Sequence, residues 1–196
     1  MRRVLKRQMW VPAPPVAQDP PFLTSLKKAA AALRDAEIPF TLAGGLAIWA
    51  HGGTESDHDI DFMVKPEDAE RALEACAEAG LRPERPPEDW LFKAHDGEWT
   101  IDLIFNPAGL PVTDRLIERA PAMEVQAMTM RVMRPDDVLV TKLMAMTEHS
   151  LGYEACLEIG RQLREQIDWS YVRETTRDSP FARAFFELVD GLEIAA

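Results

Sequence analysis

Two aspartates lie inside an apolar run that has the composition of a buried strand. Asp59 and Asp61 are separated by one residue in the stretch HDIDFMV, residues 58–64. Residues two apart in a strand project from the same face, so both carboxylates are predicted to point together. Two like charges this close oppose each other's ionisation. A divalent cation relieves that repulsion, and a ligand set made only of oxygen favours magnesium or manganese.

A third aspartate occurs in the same kind of context. Asp102 is the single acid of the apolar run TIDLIF, residues 100–105. If its strand lies beside the strand of Asp59 and Asp61, the three carboxylates converge at one place. Such a set can hold two metal ions, which polarise a phosphate and activate an attacking oxygen. The alternative is that Asp102 faces solvent from an edge strand.

A pair of glycines precedes the aspartates. Gly44 and Gly45 end one predicted strand and open a short helix. The absence of side chains lets a triphosphate approach the backbone, and the start of the helix offers free amide donors and the positive end of the helix dipole. A Gly-Gly pair alone is typical of a tight turn, so its meaning here depends on the acids that follow.

Periodicity and turn signals predict the elements that carry these residues. The fold class is α+β, with a small mixed or antiparallel sheet flanked by helices and a helical C-terminal part. We expect a basic, proline-rich N-terminal arm over residues 1–21, a core over 22–133 and the helical part over 134–196. Helices are predicted over 22–38, 66–80, 112–120 and 135–150, followed by three more helices separated near Asp168 and Ser179-Pro180. Strands are predicted over 40–45, 58–65, 90–95 and 98–106, the last two forming a hairpin at Asp96-Gly97, with one or two short strands in 123–133.

The order AGG, a short helix, DID and a later strand aspartate resembles the nucleotidyltransferase superfamily of DNA polymerase beta. Thirteen residues, 46–58, separate the glycines from the first acid. The stretch FTLAGGLAIWAHGGTESDHDIDFMV, residues 40–64, is most similar to the minimal bacterial nucleotidyltransferases and the AbiEii-type toxin nucleotidyltransferases. The resemblance covers roughly residues 22–145. It implies a polymerase-beta-type nucleotidyltransferase core.

The resemblance also implies roles for individual residues. Gly44 and Gly45 would contact the nucleotide phosphates. Asp59 and Asp61 would bind the metal ions, and Asp102 would complete the second metal site and act as, or position, the base for the acceptor hydroxyl. These three aspartates are therefore the predicted catalytic residues and metal ligands. The implied activity is transfer of a nucleoside monophosphate from a nucleoside triphosphate to a hydroxyl of RNA, a protein or a small molecule, with Mg²⁺ or Mn²⁺ as cofactor and release of pyrophosphate.

Two lysines have a functional and a structural interpretation. Lys142 matches a family lysine that meets the triphosphate. It also lies among apolar residues, so the alternative is that it extends from the edge of an apolar helix face to solvent. Lys93 lies on the strand before Asp102 and is either a surface hairpin lysine or a substrate contact.

The chain departs from the family pattern just before the paired aspartates. The minimal enzymes and many toxin relatives carry Arg-x-[Ser/Thr] there, where this chain has Glu55 and Asp57. Toxin relatives often have a further acid after the helix lysine, a position that Glu158 fills only if the helix register allows. Two alternatives therefore stay open. One is a non-catalytic nucleotide-binding or regulatory protein of a two-component, toxin–antitoxin-like module, and the other is a metal-dependent phosphohydrolase.

Charge and composition bound the partners and the compartment. The 196 residues carry a net charge of −11, which argues against a general nucleic-acid coat protein. Residues 1–34 contain seven basic residues and one acid, a net charge of +6, so the remainder carries −17. The basic arm either contacts a polyanion or is a solvated tail. The sequence contains no candidate membrane span or signal peptide, and the two cysteines, Cys76 and Cys156, lie among apolar residues. We therefore expect a cytoplasmic protein with no membrane partner. The further candidate partners are the acceptor and a small partner protein.

Overall fold

The computed structural model describes residues 20–54 and 59–195 as an α+β fold. Almost all of the predicted N-terminal arm therefore lies outside the described residues, as do Glu55 and Asp57. No helix in the described ranges is long and apolar enough to cross a membrane. The helices are α1 (Pro20–Asp35), α2 (Gly44–Ala50), α3 (Ala69–Glu78), α4 (Asp114–Arg119), α5 (Pro135–Met144), α6 (Tyr153–Leu163), α7 (Trp169–Thr175) and α8 (Pro180–Gly191). The strands are β1 (Phe40–Leu42), β2 (Ile60–Val64), β3 (Arg82–Glu84), β4 (Leu91–Asp96), β5 (Trp99–Ile104), β6 (Ala122–Val125) and β7 (Met128–Arg131).

Five strands form a mixed sheet in the order β1-β2-β5-β4-β3. β2 and β5 are parallel, and the other neighbouring pairs are antiparallel. Helices α1 and α3 pack against this sheet. Ile60, Phe62, Ile101 and Leu103 are fully buried. Because side chains alternate along a strand, these four residues lie on the face opposite to Asp61 and Asp102.

A second, two-stranded sheet docks beside the edge of the first. β6 and β7 are joined by Gln126 and Ala127, both with positive φ, at 51° and 63°. Directly after β7, Val132 forms a parallel bridge with Leu42, and the Met133 amide donates to the Leu42 carbonyl at 2.8 Å. The chain therefore leaves the second sheet next to β1 and enters α5.

The C-terminal helices gather around α5, which contacts α6, α7, α8 and also α2. Three helices follow α5, as predicted. α5 itself is shorter than the predicted range of 135–150. The chain turns after Met144, and the backbones of Thr147 and Ser150 exchange two hydrogen bonds of 3.1 Å.

Two details of the hairpin region differ from prediction. Strand β3 lies between the predicted helix 66–80 and the predicted strand 90–95, where the sequence predicts no element. It is a short edge strand that contains Pro83, a position where a strand tolerates proline. The hairpin turn has Gly97 and Glu98 as its central residues, because Asp96 pairs with Trp99. Gly97 has a φ of 64°, so the turn uses the glycine at its first central position.

Candidate active site

The sheet places two of the three predicted aspartates side by side. Asp61 of β2 and Asp102 of β5 are direct partners in the parallel register. Their side chains therefore project from the same face of two adjacent strands. Asp59 lies one residue before β2 and is exposed. Its charge contributes to raising the pKa of Asp61, so its carboxylate belongs to the same electrostatic environment.

The predicted glycines lie directly against this pair. The Ala43 amide donates to the Asp61 carbonyl at 2.8 Å, which fixes the start of α2 beside β2. Gly44 has a φ of 58°, and a Cβ at this position would stand 1.8 Å from Asp61 Oδ2. Among the described residues, the backbone amides of Gly44 and Gly45 have no hydrogen-bond acceptor. Glycine is thus required at position 44, both by the backbone and by the carboxylate.

Asp61 carries a charge that the surrounding protein does not neutralise. No described residue donates a hydrogen bond to its carboxylate or pairs with it. Burial, and then the charges of Asp102 and Asp59, raise the pKa of Asp61 from 3.8 to about 6, against the opposing effect of Lys142 and Lys93. The site therefore has an excess of negative charge, and a cation fits at this point.

Asp102, by contrast, has a partner. Lys93 Nζ lies 2.8 Å from Asp102 Oδ1 and 3.1 Å from Oδ2, since the two residues are opposite each other in the β4–β5 register. The sequence did contain the signal for this pair. A turn centred on Gly97 and Glu98 pairs residue 93 with 102, whereas the expected turn, one residue earlier, pairs 93 with 100 and hides the contact.

Lys142 lies on α5 and is half-buried. Its charge lowers the pKa of Asp61, so the ammonium lies within electrostatic range of that carboxylate. It lines a small cavity of about 30 Å³ together with Thr54 and Glu158. Lys142 makes no ion pair with any residue in the described ranges. The helix therefore brings the predicted lysine towards the aspartates.

Helix α6 holds the residue that precedes the undescribed positions 55–58. Gln162 Oε1 accepts from the Thr54 amide at 2.7 Å, and Gln162 Nε2 donates to Thr54 Oγ1 at 2.9 Å. Thr54 Oγ1 also donates to Glu158 at 3.2 Å. We call this set of contacts the Thr54 anchor. Gln162 was not a predicted site residue, because a contact between positions 108 residues apart has no local signal in the sequence.

The predicted metal roles stay predictions. Within residues 20–54 and 59–195, no three His, Cys, Asp or Glu residues form a group that could hold a metal ion. Of the two strand aspartates, Asp102 is paired with the Lys93 ammonium, whereas Asp61 has no cationic partner among the described residues.

Comparisons with known proteins identify the family and the fold. The model of a family described as "Uncharacterised nucleotidyltransferase" matches residues 18–190. None of the curated proteins matches the chain. The crystal structure of ANT(2")-Ia in complex with adenylyl-2"-tobramycin superposes with a TM-score of 0.60 at 18% identity, covering 83% of this chain and 98% of that chain.

Two further solved structures share the fold. The solution structure of the antibiotic-resistance factor ANT(2'')-Ia gives a TM-score of 0.57 at 19% identity, covering 87% of this chain and 94% of that chain. The Megavirus polyadenylate synthase gives 0.51 at 12% identity, covering 74% of this chain and 31% of that chain. At these identities the likeness is one of fold, and it matches the polymerase-beta-type core that the sequence predicts.

Proposed function

Because the chain belongs to the family of uncharacterised nucleotidyltransferases, we propose that it transfers a nucleoside monophosphate from a nucleoside triphosphate to a hydroxyl acceptor and releases pyrophosphate. One observation carries this proposal: Asp61 and Asp102 are register partners on parallel strands, with Gly44 directly over Asp61. This arrangement puts carboxylates beside a backbone that a phosphate chain can approach closely.

The triphosphate would lie at the start of α2. The backbone amides of Gly44 and Gly45 are available there as donors within the described structure. Lys142 approaches from α5 without an ion-pair partner among the described residues. A phosphate oxygen would give that ammonium a charge-assisted hydrogen bond.

The residues present fit a divalent cation at Asp61. Its carboxylate has no donor among the described residues, and its raised pKa reports a local excess of negative charge. Oxygen ligands suit Mg²⁺ or Mn²⁺. We propose that Asp61 and Asp59 hold the ion, which supplies positive charge to the triphosphate and the departing pyrophosphate.

Asp102 is the proposed base, or the group that positions it. The acceptor oxygen forms a bond to the α-phosphorus while the bond to the β-phosphate oxygen breaks, and the pyrophosphate leaves with that electron pair. The acceptor loses its proton to the Asp102 carboxylate. Lys93 holds both oxygens of that carboxylate and so fixes its orientation.

We propose a small hydroxylated molecule, rather than bulk RNA, as the acceptor. The net charge of −11 disfavours a polyanion and favours a cationic acceptor. The product named in one structural neighbour, adenylyl-2"-tobramycin, is a small-molecule adduct, which supports the same choice.

The test is incubation of the full chain with Mg²⁺ and each α-labelled triphosphate in turn. Parallel reactions contain a panel of aminoglycosides and other small hydroxylated amines, total RNA, or no acceptor. Label on a small molecule, absent with Asp61→Asn, supports the proposal. Label on RNA or on the protein overturns the acceptor class alone. Triphosphate cleavage without an adduct indicates a phosphohydrolase, and saturable binding without transfer indicates a nucleotide-binding module.

The AbiEii-like subtype, a small partner protein and the cytoplasmic location are further proposals. The first two are supported by the motif in residues 40–64, and the location by the two cysteines, Cys76 and Cys156, which lie among apolar residues. Co-purification of a small protein with the tagged chain from its native host tests the module.

A further inference from the structure

We propose that the Lys93 ammonium occupies the place of a second metal ion, so that the site takes one divalent cation and one lysine. This inference rests on the proposed nucleotidyl transfer and assigns a role that neither the motif nor the family match provides. Lys93 is a positioning residue here, since it acts through Asp102.

The first argument is how completely Lys93 engages Asp102. Both carboxylate oxygens lie within 3.1 Å of Lys93 Nζ. The side chains are only 30% and 15% exposed, so water screens the pair weakly. A second metal ion would need the same two oxygens, and Lys93 would have to give up its charge-assisted hydrogen bonds to release them.

The second argument is that the other acid beside Lys93 is already paired with another residue. Its other neighbour across the sheet is Glu84 of β3. The Glu84 carboxylate is already paired with His95 Nε2 at 2.7 Å. The lysine therefore lies between two acids and bonds only the one that belongs to the site.

The third argument is the contrast between the two register partners. Asp61 has no cation bound to it among the described residues, whereas Asp102 has an ammonium on both oxygens. Within the described residues, an aspartate without a cationic partner beside one that an ammonium holds is the arrangement that a single divalent ion plus a lysine require. Lys93 would hold the Asp102 carboxylate in a fixed orientation while a metal ion binds the triphosphate.

The experiment counts metal ions rather than activity. The full chain, in excess over an α,β-methylene triphosphate so that all nucleotide is bound, is titrated with Mn²⁺ while the free ion is followed by electron paramagnetic resonance. We expect about one Mn²⁺ per bound nucleotide for the wild type and about two for Lys93→Met, which frees both Asp102 oxygens. Lys93→Arg, which keeps the charge, should stay at about one.

Lys28→Met is the matched control. Lys28 forms an equally short pair, 2.8 Å, with Asp96 at the end of the same hairpin, and the side chains are 32% and 24% exposed. Lys28→Met removes the same charge without affecting Asp102, so its number of Mn²⁺ ions per bound nucleotide should equal that of the wild type. Lys93→Gln replaces Lys93→Met if the latter does not fold.

The outcomes separate this inference from the proposed function. Two ions on the wild type, or one ion on both the wild type and Lys93→Met, overturn the lysine's role and leave nucleotidyl transfer intact. A wild-type chain that binds neither nucleotide nor Mn²⁺ overturns both.

Discussion

Asp61 and Gly44 depend on each other at the scale of single residues. The carboxylate stays charged although burial and two neighbouring acids oppose its ionisation. The glycine is the only residue that leaves space for it. The buried charge and the strained backbone both destabilise the folded protein. Such features are typical of a binding site for a cationic ligand.

Replacing Asp61 by asparagine should stabilise the metal-free protein while removing activity. The pKa of Asp61 is about 6 in the folded protein, above its ordinary 3.8, so ionisation destabilises the folded state. That penalty is complete above pH 6 and disappears as the pH falls towards 4. Urea unfolding in EDTA should show Asp61→Asn more stable than the wild type by up to about 3 kcal/mol at pH 7.5, with the difference shrinking at pH 4.5. A difference that does not change with pH would contradict this explanation.

Gly44→Ala should lose both activity and stability. The new Cβ would collide with Asp61 Oδ2, and the φ of 58° strains any residue with a side chain, by roughly 1–2 kcal/mol. Displacement of the carboxylate should lower kcat/KM on the order of 100-fold. Gly97→Ala is the control, because Gly97 also has a positive φ, 64°, but has nothing within 4 Å of its added Cβ. It should cost stability and leave kcat/KM unchanged. An equal loss of activity in both variants would rule out the collision.

At the scale of elements, α6 connects the helical part to the aspartate strand. The Thr54 anchor ties Gln162 and Glu158 to the chain five residues before Asp59. α2, α5 and α6 meet at the small cavity beside it, which Lys142 also lines. The C-terminal helices thus contact the segment that precedes Asp59 as well as the core.

Gln162→Leu should therefore lower activity more than stability. The lost hydrogen bonds are solvent-exposed and are worth about 1 kcal/mol in unfolding free energy. Misplacement of the chain before Asp59 should lower kcat/KM roughly tenfold. The control is Gln166→Leu, because Gln166 donates at 3.0 Å to the carbonyl of His51, a nearby residue outside the anchor. If both variants retain wild-type kcat/KM, the anchor has no role in catalysis.

At the scale of the whole molecule, a buried charge cluster joins α4, α5 and α7. Asp136 and Asp137 at the start of α5 are 0% and 2% exposed. Arg119 of α4 contacts both and stacks over Tyr171, whose hydroxyl donates to Asp137 at 2.8 Å. Burial is the main reason that the pKa of Asp137 is raised. The buried apolar residues form one cluster from Phe22 to Ile194, which includes residues of both the predicted core, 22–133, and the helical part, 134–196.

Arg119→Met should destabilise the protein by about 3–5 kcal/mol, because it leaves Asp137 and Asp136 with less compensation for their burial. Since the core is shared, we expect calorimetry to show one cooperative unfolding transition in the wild type. Arg85→Met is the control. Its pair with Glu70, at 2.7 Å, is exposed on both sides and should contribute less than about 1 kcal/mol. Two separate transitions in the wild type would show that residues 22–133 and 134–196 fold independently.

Local patterns predicted most of the elements and the nucleotidyltransferase family. The alternation around Asp61 and Asp102 placed each acid on a strand, and the Gly97 turn signal identified the hairpin. The turn was misplaced by one residue, and this slip shifts every cross-strand partner in the hairpin by two residues. That slip hid the Lys93–Asp102 pair. Strand β3 was missed because a three-residue edge strand with a proline has almost no periodic signal.

The sequence by itself determined which residues are available for chemistry, namely the paired aspartates and the two glycines before them. It also determined the net negative charge of the protein. These follow from residue type and spacing, which local rules read directly. Only the tertiary structure decided that β2 lies parallel to β5 and that α6 anchors Thr54. Both depend on contacts between distant segments, whose pairing is set by packing of the whole core and not by any local preference.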